Sequence, residues 1–98
     1  METEEAAGCL ESLGNPTRLE IYRRLVKAGS TGCTVGTIQE ELAIPGSTLS
    51  HHIHHMVQRG LVSQIRDGRS LRCCANFQAM NALLVFLTEE CCTDEGCC

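Results

Sequence analysis

The feature that most limits how this chain can fold is an Asp67-Gly68 turn that follows a series of helical segments. Asp-Gly is a strong signal for the two-residue turn of a β-hairpin, so we predict strands over residues 61–65 and 70–74. Before and after this hairpin, apolar residues recur at the three- and four-residue spacing of amphipathic helices. The length of 98 residues suits one small domain. The sequence therefore predicts a single, mostly helical domain with one β-hairpin.

Residues that typically begin or end helices divide the apolar pattern into four helices before the hairpin and one after it. The predicted boundary residues are Asn15-Pro16, Gly29, Thr34 or Val35, Ile44-Pro45-Gly46, Ser47 as an N-cap, Gly60, and Asn76 as an N-cap. The residues predicted to face inward are Ala6, Cys9, Leu10, Leu13, Leu19, Tyr22, Leu25, Val26, Val35, Ile38, Leu42, Leu49, Ile53, Met56, Val57, Phe77, Met80, Leu83, Leu84 and Leu87.

A helix, a tight turn, a second helix and a hairpin form the pattern of a winged helix-turn-helix. The predicted fold class is therefore mostly α with a β-hairpin, in the order α-α-α-α-β-β-α. The last helix has a wide apolar face for so small a domain, which suggests that it is buried against a second copy in a homodimer. We expect residues 1–90 to form this domain and residues 91–98 to form a cysteine-rich tail.

The charges of the chain are segregated along its length. The net charge is −4, yet all eight basic residues lie between Arg18 and Arg72. That segment contains four acidic residues, so its own balance is 8 − 4 = +4, and the other eight acidic residues lie near the two ends. A basic centre can bind phosphates while the acidic ends face elsewhere, although a solvated charged surface would look the same in sequence.

The fourth helix and the hairpin tip carry the side chains expected at a DNA interface. The second helix of a helix-turn-helix enters the major groove, and its first residues meet the base edges. Arginines at a hairpin tip usually contact the DNA backbone or the minor groove. The residues predicted to contact double-stranded operator DNA are Ser47, Thr48, Ser50, His51, His52, His55, Arg66 and Arg69. A passive surface and a metal site built on His51 and His55, four residues apart, remain as alternatives.

Eight cysteines are many for a chain of this size. Six of them form the adjacent pairs Cys73-Cys74, Cys91-Cys92 and Cys97-Cys98, which suit ligation better than a spread disulfide framework. Because we find neither a signal segment nor a membrane-spanning run, we expect a reduced, cytoplasmic protein with no membrane partner. The tail holds four thiols in eight residues, and thiolates prefer soft metals and metalloids. No nucleophile has an evident base and orienting group, so an enzyme is not expected.

Four ordered motifs resemble those of the ArsR/SmtB metalloregulatory repressors over about residues 5–90. They are Leu13-Gly14-Asn15-Pro16-Thr17-Arg18-Leu19, Ser50-His51-His52-Ile53, Gly60-Leu61-Val62 and Arg66-Asp67-Gly68-Arg69. The resemblance implies a homodimer with the first and last helices at the interface, and a repressor that leaves its operator when it binds a metal or metalloid. It also places Ser47, Thr48, Ser50, His51 and His52 on the recognition helix.

The chain departs from the family at two known types of metal site. Thr34-Val35-Gly36 stands where many arsenic- and cadmium-type members have Cys-Val-Cys, and residues 80–90 lack the histidine of zinc-type members. Some arsenite-responsive members instead have an adjacent cysteine pair after the last helix and a further cysteine. The resemblance therefore assigns the metal site to Cys91, Cys92 and Cys98, with Cys97 as an alternative to Cys98.

Trivalent arsenic or antimony is the expected inducer, because each takes three thiolates in a pyramid, and no organic cofactor is expected. Because the tail has a fourth thiol, zinc, cadmium and lead remain alternative inducers. Cys73 or Cys74 can supply a ligand only across the dimer or through a bend. Cys9 and Cys33 are expected in the core or the interface. A redox-sensing repressor on the same fold and a metallochaperone without DNA binding are the competing functions.

The adjacent cysteines Cys91 and Cys92 also bear on how the switch would work. Neighbouring side chains on a helix do not face each other, so both cannot hold one small ion while they are helical. We therefore predict that ligation unwinds or re-forms the end of the last helix, at the dimer interface.

Overall fold

The structure is a computed structural model that describes residues 1–96. Five helices and three short strands form a winged helix-turn-helix, which confirms the predicted fold class. The helices are α1 (Thr3–Leu13), α2 (Pro16–Ala28), α3 (Val35–Leu42), α4 (Gly46–Gln58) and α5 (Phe77–Thr88), and a 3-10 turn (Gly29–Thr31) follows α2. The strands are β1 (Cys33–Thr34), β2 (Val62–Asp67) and β3 (Ser70–Ala75). Within the described residues, no helix is both long and apolar enough to cross a membrane.

Side-chain caps set the beginnings of three helices. The Asn15 side chain accepts a hydrogen bond from the Arg18 backbone N–H at 3.1 Å, and Asn76 accepts one from Ala79 at 3.2 Å, which confirms both predicted N-caps. Thr34 caps α3 in the same way. The prediction that Ser47 caps α4 is wrong. The helix already begins at Gly46, because Pro45 has an extended ψ of 141° and occupies the cap position without a side-chain hydrogen bond.

The sheet contains one strand more than the sequence predicts. The strand order is β1-β3-β2, with antiparallel pairing throughout. Both hairpin strands lie close to their predicted positions, although β2 begins at Val62 and reaches Asp67, and β3 ends at Ala75. The additional strand β1 has two residues, and Cys33 in it lies opposite Cys73 in β3. A strand of two residues has no alternating pattern that a sequence can show.

Most predicted inward-facing residues are buried or half-buried, and four are exposed. Leu19 and Leu10 are 43% and 44% exposed, so their predicted burial is wrong for the single chain. Ile21, which was not predicted, is fully buried in place of Leu19. On α5, Leu83 is buried, whereas three large apolar side chains face outward: Leu84, Val85 and Leu87. A second copy covering this face is still a prediction.

Candidate nucleic-acid interface and thiol sites

The tight turn between α3 and α4 sets the position of the proposed recognition helix. Ala43 ends α3 in the left-handed conformation, with φ 53° and ψ 45°, and α4 starts three residues later. The first turns of α4 leave Ser47, Thr48 and Ser50 exposed, together with His51. The N-terminus of a helix offers unpaired backbone N–H groups and a partial positive charge, both of which favour phosphate. These four predicted residues therefore share one exposed surface at the start of α4.

Two of the predicted DNA-contacting histidines also contact side chains of other helices, and their predicted contact with DNA stays a prediction. His55 Nδ1 lies 2.9 Å from the hydroxyl oxygen of Ser12, a side chain on α1 with no exposed surface. His52 Nδ1 lies 3.4 Å from a guanidinium nitrogen of Arg18, whose Nε also donates to the Ser12 carbonyl at 2.7 Å. Ser12 and Arg18 thus connect the end of α1 to α4. Sequence reasoning missed both of them, although Ser12 follows Cys9 at the three-residue spacing of the buried face of α1.

The surroundings of these histidines favour their neutral forms. Partial burial lowers the pKa of His52 below 6.5, and the positive charge of Arg18 lowers it further. The pKa of His55 is also lowered, first by burial and then by Arg18 and Arg59, while Glu11 opposes this change from 3.9 Å. At neutral pH each ring therefore has one donor and one acceptor nitrogen. For His55, Ser12 engages Nδ1, which leaves Nε2 facing Glu11.

The hairpin formed by β2 and β3 projects two predicted arginines into solvent. Arg66 and Arg69 flank the Asp67-Gly68 turn and are both exposed. Asp67 forms an ion pair with Arg72 at 3.5 Å, and Arg72 also donates to the Thr31 carbonyl at 3.3 Å. These contacts hold the Arg72 side chain between the hairpin turn and Thr31. The arrangement places two cations at the tip of the wing, as contact with a DNA backbone requires.

The thiol pair Cys91-Cys92 lies beyond the last helix, not within it. Helix α5 ends at Thr88, and both Glu90 and Cys92 have positive φ angles near 60°. The sulfur atoms of Cys91 and Cys92 are 3.1 Å apart. Both sulfurs can therefore face one ion without unwinding of α5, because the turn already brings them together. Re-formation of the end of the helix on ion binding stays a prediction. The predicted third ligand, Cys98 or Cys97, lies outside the described residues.

The other four cysteines among residues 1–96 are at least partly buried. Cys9 and Cys33 are 1% and 5% exposed, which confirms that they are core residues. Cys73 has no exposed surface, and burial raises the pKa of its thiol. Cys74 points the other way and donates to the Ser30 carbonyl at 3.6 Å. Among residues 1–96, no three cysteine, histidine or acidic side chains are grouped as a metal site would require.

Comparison with known proteins supports regulation of transcription. A family model described as a helix-turn-helix domain matches residues 13–65. An uncharacterized HTH-type transcriptional regulator of Methanocaldococcus jannaschii is 37% identical over 65 residues, which are 66% of this chain and 71% of that protein. The HTH-type transcriptional regulator YgaV of Escherichia coli is 29% identical over 89 residues, which are 91% of this chain and 88% of YgaV.

A solved structure shows the same fold. An ArsR-like transcriptional regulator from Rhodococcus sp. RHA1 superimposes with a TM-score of 0.75 at 24% identity, over 86% of this chain and 76% of that one. The relatives are named as regulators of transcription and not as enzymes. The chain therefore belongs to the helix-turn-helix domain family and is an HTH-type transcriptional regulator with the winged fold of ArsR-like regulators.

Proposed function

We propose that this regulator is a homodimeric repressor that binds operator DNA and releases it when trivalent arsenic or antimony binds to its tail thiols. The observation that carries the proposal is the 3.1 Å separation of the Cys91 and Cys92 sulfurs in a turn outside α5. A single thiophilic ion can touch two sulfurs at that separation without any change in helical structure. The third thiolate of the pyramid would come from Cys98 or Cys97.

The DNA-binding part of the proposal uses the exposed start of α4 and the tip of the wing. Ser47, Thr48, Ser50 and His51 would meet base edges or phosphates, and Arg66 and Arg69 would contact the backbone. His52 and His55 would orient α4 through Arg18 and Ser12. Because the basic residues lie between Arg18 and Arg72, the net charge of −4 does not oppose this binding at the surface concerned.

The position of the tail explains how ion binding would reach the DNA. The tail follows α5 directly, and α5 presents Leu84, Val85 and Leu87 as an exposed apolar face. If a second copy covers this face, an ion bound at the tail lies beside the dimer interface. The two recognition helices must meet half-sites about 34 Å apart, so a small rotation between the subunits weakens binding. Couplings of this kind typically amount to about 1–3 kcal/mol, or about 5–150-fold in affinity.

Fluorescence anisotropy with a labelled operator tests this proposal. The operator would be selected from random duplexes with the reduced protein, and arsenite, antimonite, cadmium or zinc would then be titrated into the complex. We expect arsenite to weaken binding by about 5–150-fold in the native chain and in the control Cys74→Ser, but not in the double variant Cys91→Ser/Cys92→Ser. Equal release by all three proteins would refute the role of the tail pair. Binding to no duplex at all would instead favour a metallochaperone.

A thiol redox sensor is the second candidate, because two sulfurs at 3.1 Å also suit oxidation to a disulfide. The two functions differ in what they need to release DNA. A sensor that acts only by thiol oxidation should release the operator on treatment with peroxide, should rebind it after reduction, and should not respond to arsenite under fully reducing conditions. An arsenic sensor should respond to arsenite under fully reducing conditions.

A further inference from the structure

Two buried thiols outside the tail lie opposite each other in the sheet. Cys33 in β1 and Cys73 in β3 are directly opposed in an antiparallel pair, so their side chains lie on the same face. They are 5% and 0% exposed. Opposed residues of antiparallel strands have Cα atoms about 4.5–5.5 Å apart, and disulfides join Cα atoms about 4.4–6.8 Å apart. The register therefore places this pair within the range that a disulfide spans.

The backbone at Gly32, next to this pair, approaches strand β3 unusually closely. Gly32 has a φ of +76°, and a Cβ atom built on it would lie 2.5 Å from the Cys73 carbonyl oxygen and from the Cys74 sulfur. Only glycine fits such an approach, so the start of β1 lies directly against β3. Arg24, which also forms an ion pair with Glu41 at 2.6 Å, interacts electrostatically with Cys33 and places a cation beside the pair.

We propose that Cys33 and Cys73 form a redox-active dithiol that closes to a cross-strand disulfide when the protein meets a peroxide. One thiolate attacks a peroxide oxygen and becomes a sulfenic acid, with release of one water molecule when the peroxide is hydrogen peroxide. The second thiol displaces the hydroxyl group as a second water molecule and forms the S–S bond. Overall, two S–H bonds break, two electrons pass to the peroxide, and two water molecules form.

Burial determines how fast this reaction proceeds. The high pKa of the Cys73 thiol and its lack of exposure slow the attack in the closed fold. However, β1 contains only two residues and lies at the edge of the sheet, so local opening can expose both thiols. Opposed Cβ atoms are about 4.5–5.5 Å apart, but a disulfide prefers about 3.5–4.5 Å. Closing the bond therefore requires the two strands to move slightly closer together.

A disulfide between Cys33 and Cys73 would affect DNA binding because of where it lies in the chain. The loop between Cys33 and Cys73 contains α3, α4 and β2, which are the whole helix-turn-helix and half of the wing. Drawing β1 toward β3 changes the start of α3 relative to the hairpin. We expect a lower operator affinity for the oxidised protein, by about fivefold or more. This consequence rests on the proposed function, whereas the disulfide itself does not.

Peptide mapping of the oxidised full-length chain tests the disulfide without any DNA. The reduced native chain and a variant with all four tail cysteines changed to serine would be treated with hydrogen peroxide, alkylated and digested. We expect a linked peptide that joins Cys33 to Cys73 in both proteins and in the control Cys74→Ser, and its loss in Cys73→Ser. Circular dichroism would confirm that each variant is folded. If the native chain yields both thiols in alkylated form, or links either to another cysteine, the proposal is overturned.

Anisotropy with the variant that has all four tail cysteines changed to serine tests the regulatory consequence separately. Peroxide should lower its affinity for DNA by about fivefold or more, and dithiothreitol should restore it. An unchanged affinity at full Cys33–Cys73 cross-linking would refute the effect on DNA binding. Failure of the arsenite response in the native chain leaves both of these readouts intact, so the two proposals fail independently.

Discussion

Replacing Gly32 with alanine should destabilise the chain by about 2–6 kcal/mol, from two separate sources. Gly32 has φ 76° and ψ −169°, a conformation that is essentially restricted to glycine and costs other residues about 1–3 kcal/mol. The new Cβ atom would also lie 2.5 Å from the backbone oxygen of Cys73, which cannot move without shifting β3. Such overpacking costs a further ~1–3 kcal/mol.

Urea denaturation followed by circular dichroism measures this loss. Small domains have a total stability of about 5–15 kcal/mol, and the slope in urea is about 1–3 kcal/mol per molar. The midpoint for Gly32→Ala should therefore fall by roughly 2 M, or the variant should fail to fold.

Substitutions at two other glycines separate the conformational cost from the cost of overpacking. Gly29 also has a positive φ, 71°, but nothing lies within 4 Å of the place that a Cβ atom would take, so Gly29→Ala should show only the conformational cost of about 1–3 kcal/mol. Gly36 lies inside α3 with open space around it, so Gly36→Ala should stabilise the chain by about 0.5–1 kcal/mol. If Gly32→Ala costs no more than Gly29→Ala, the close approach of β1 to β3 is refuted, and the proposed dithiol loses its support.

Three further predictions concern pH, the α1–α4 contact and the wing. The folded chain holds the pKa values of His52 and His55 below 6.5, so the unfolded chain binds more protons and stability should fall as pH drops below that value. In urea titrations between pH 5 and 8, His52→Gln should flatten this dependence, and an unchanged slope would contradict it. Ser12→Ala should cost about 1–2 kcal/mol, because it leaves His55 Nδ1 without its buried partner. The exposed control Ser50→Ala should cost less than about 0.5 kcal/mol, and equal losses would contradict the contact. Arg66→Ala and Arg69→Ala should each lower the salt dependence of DNA binding by about one unit of slope, whereas an unaltered slope would remove that arginine from the interface.

Much of the fold follows from local signals in the chain. The spacing of apolar residues predicts the five helices, Asn15 and Asn76 predict two helix starts, and Asp67-Gly68 predicts the hairpin. These signals act within a few residues, through capping hydrogen bonds and turn conformation. They can therefore be recognised in the sequence without knowing which other helix or strand packs against the segment. The predicted cap at Ser47 was wrong, because the extended conformation of Pro45 also suits a helix start and lies earlier in the chain.

The candidate sites were less fully predictable, because they depend on contacts between distant segments. The exposed start of α4 and the wing tip follow from the helix-turn-helix pattern. However, no local signal shows that His55 meets Ser12, 43 residues away, or that Arg18 reaches His52. The sequence predicts a thiol cluster in the tail, but the turn that brings Cys91 and Cys92 together depends on where α5 ends.

The order of helices and hairpin, the segregation of charge and the number of thiols can all be read from the amino-acid sequence, since periodicity and composition are properties of the chain alone. Which thiols and histidines have neighbours depends on how distant segments pack together. Strand β1 forms because Cys33 and Thr34 pair with residues of β3, and Gly32 allows the two strands to approach each other closely. A two-residue strand has too few local interactions to form alone, so its hydrogen bonds appear only when the rest of the fold brings β3 beside it.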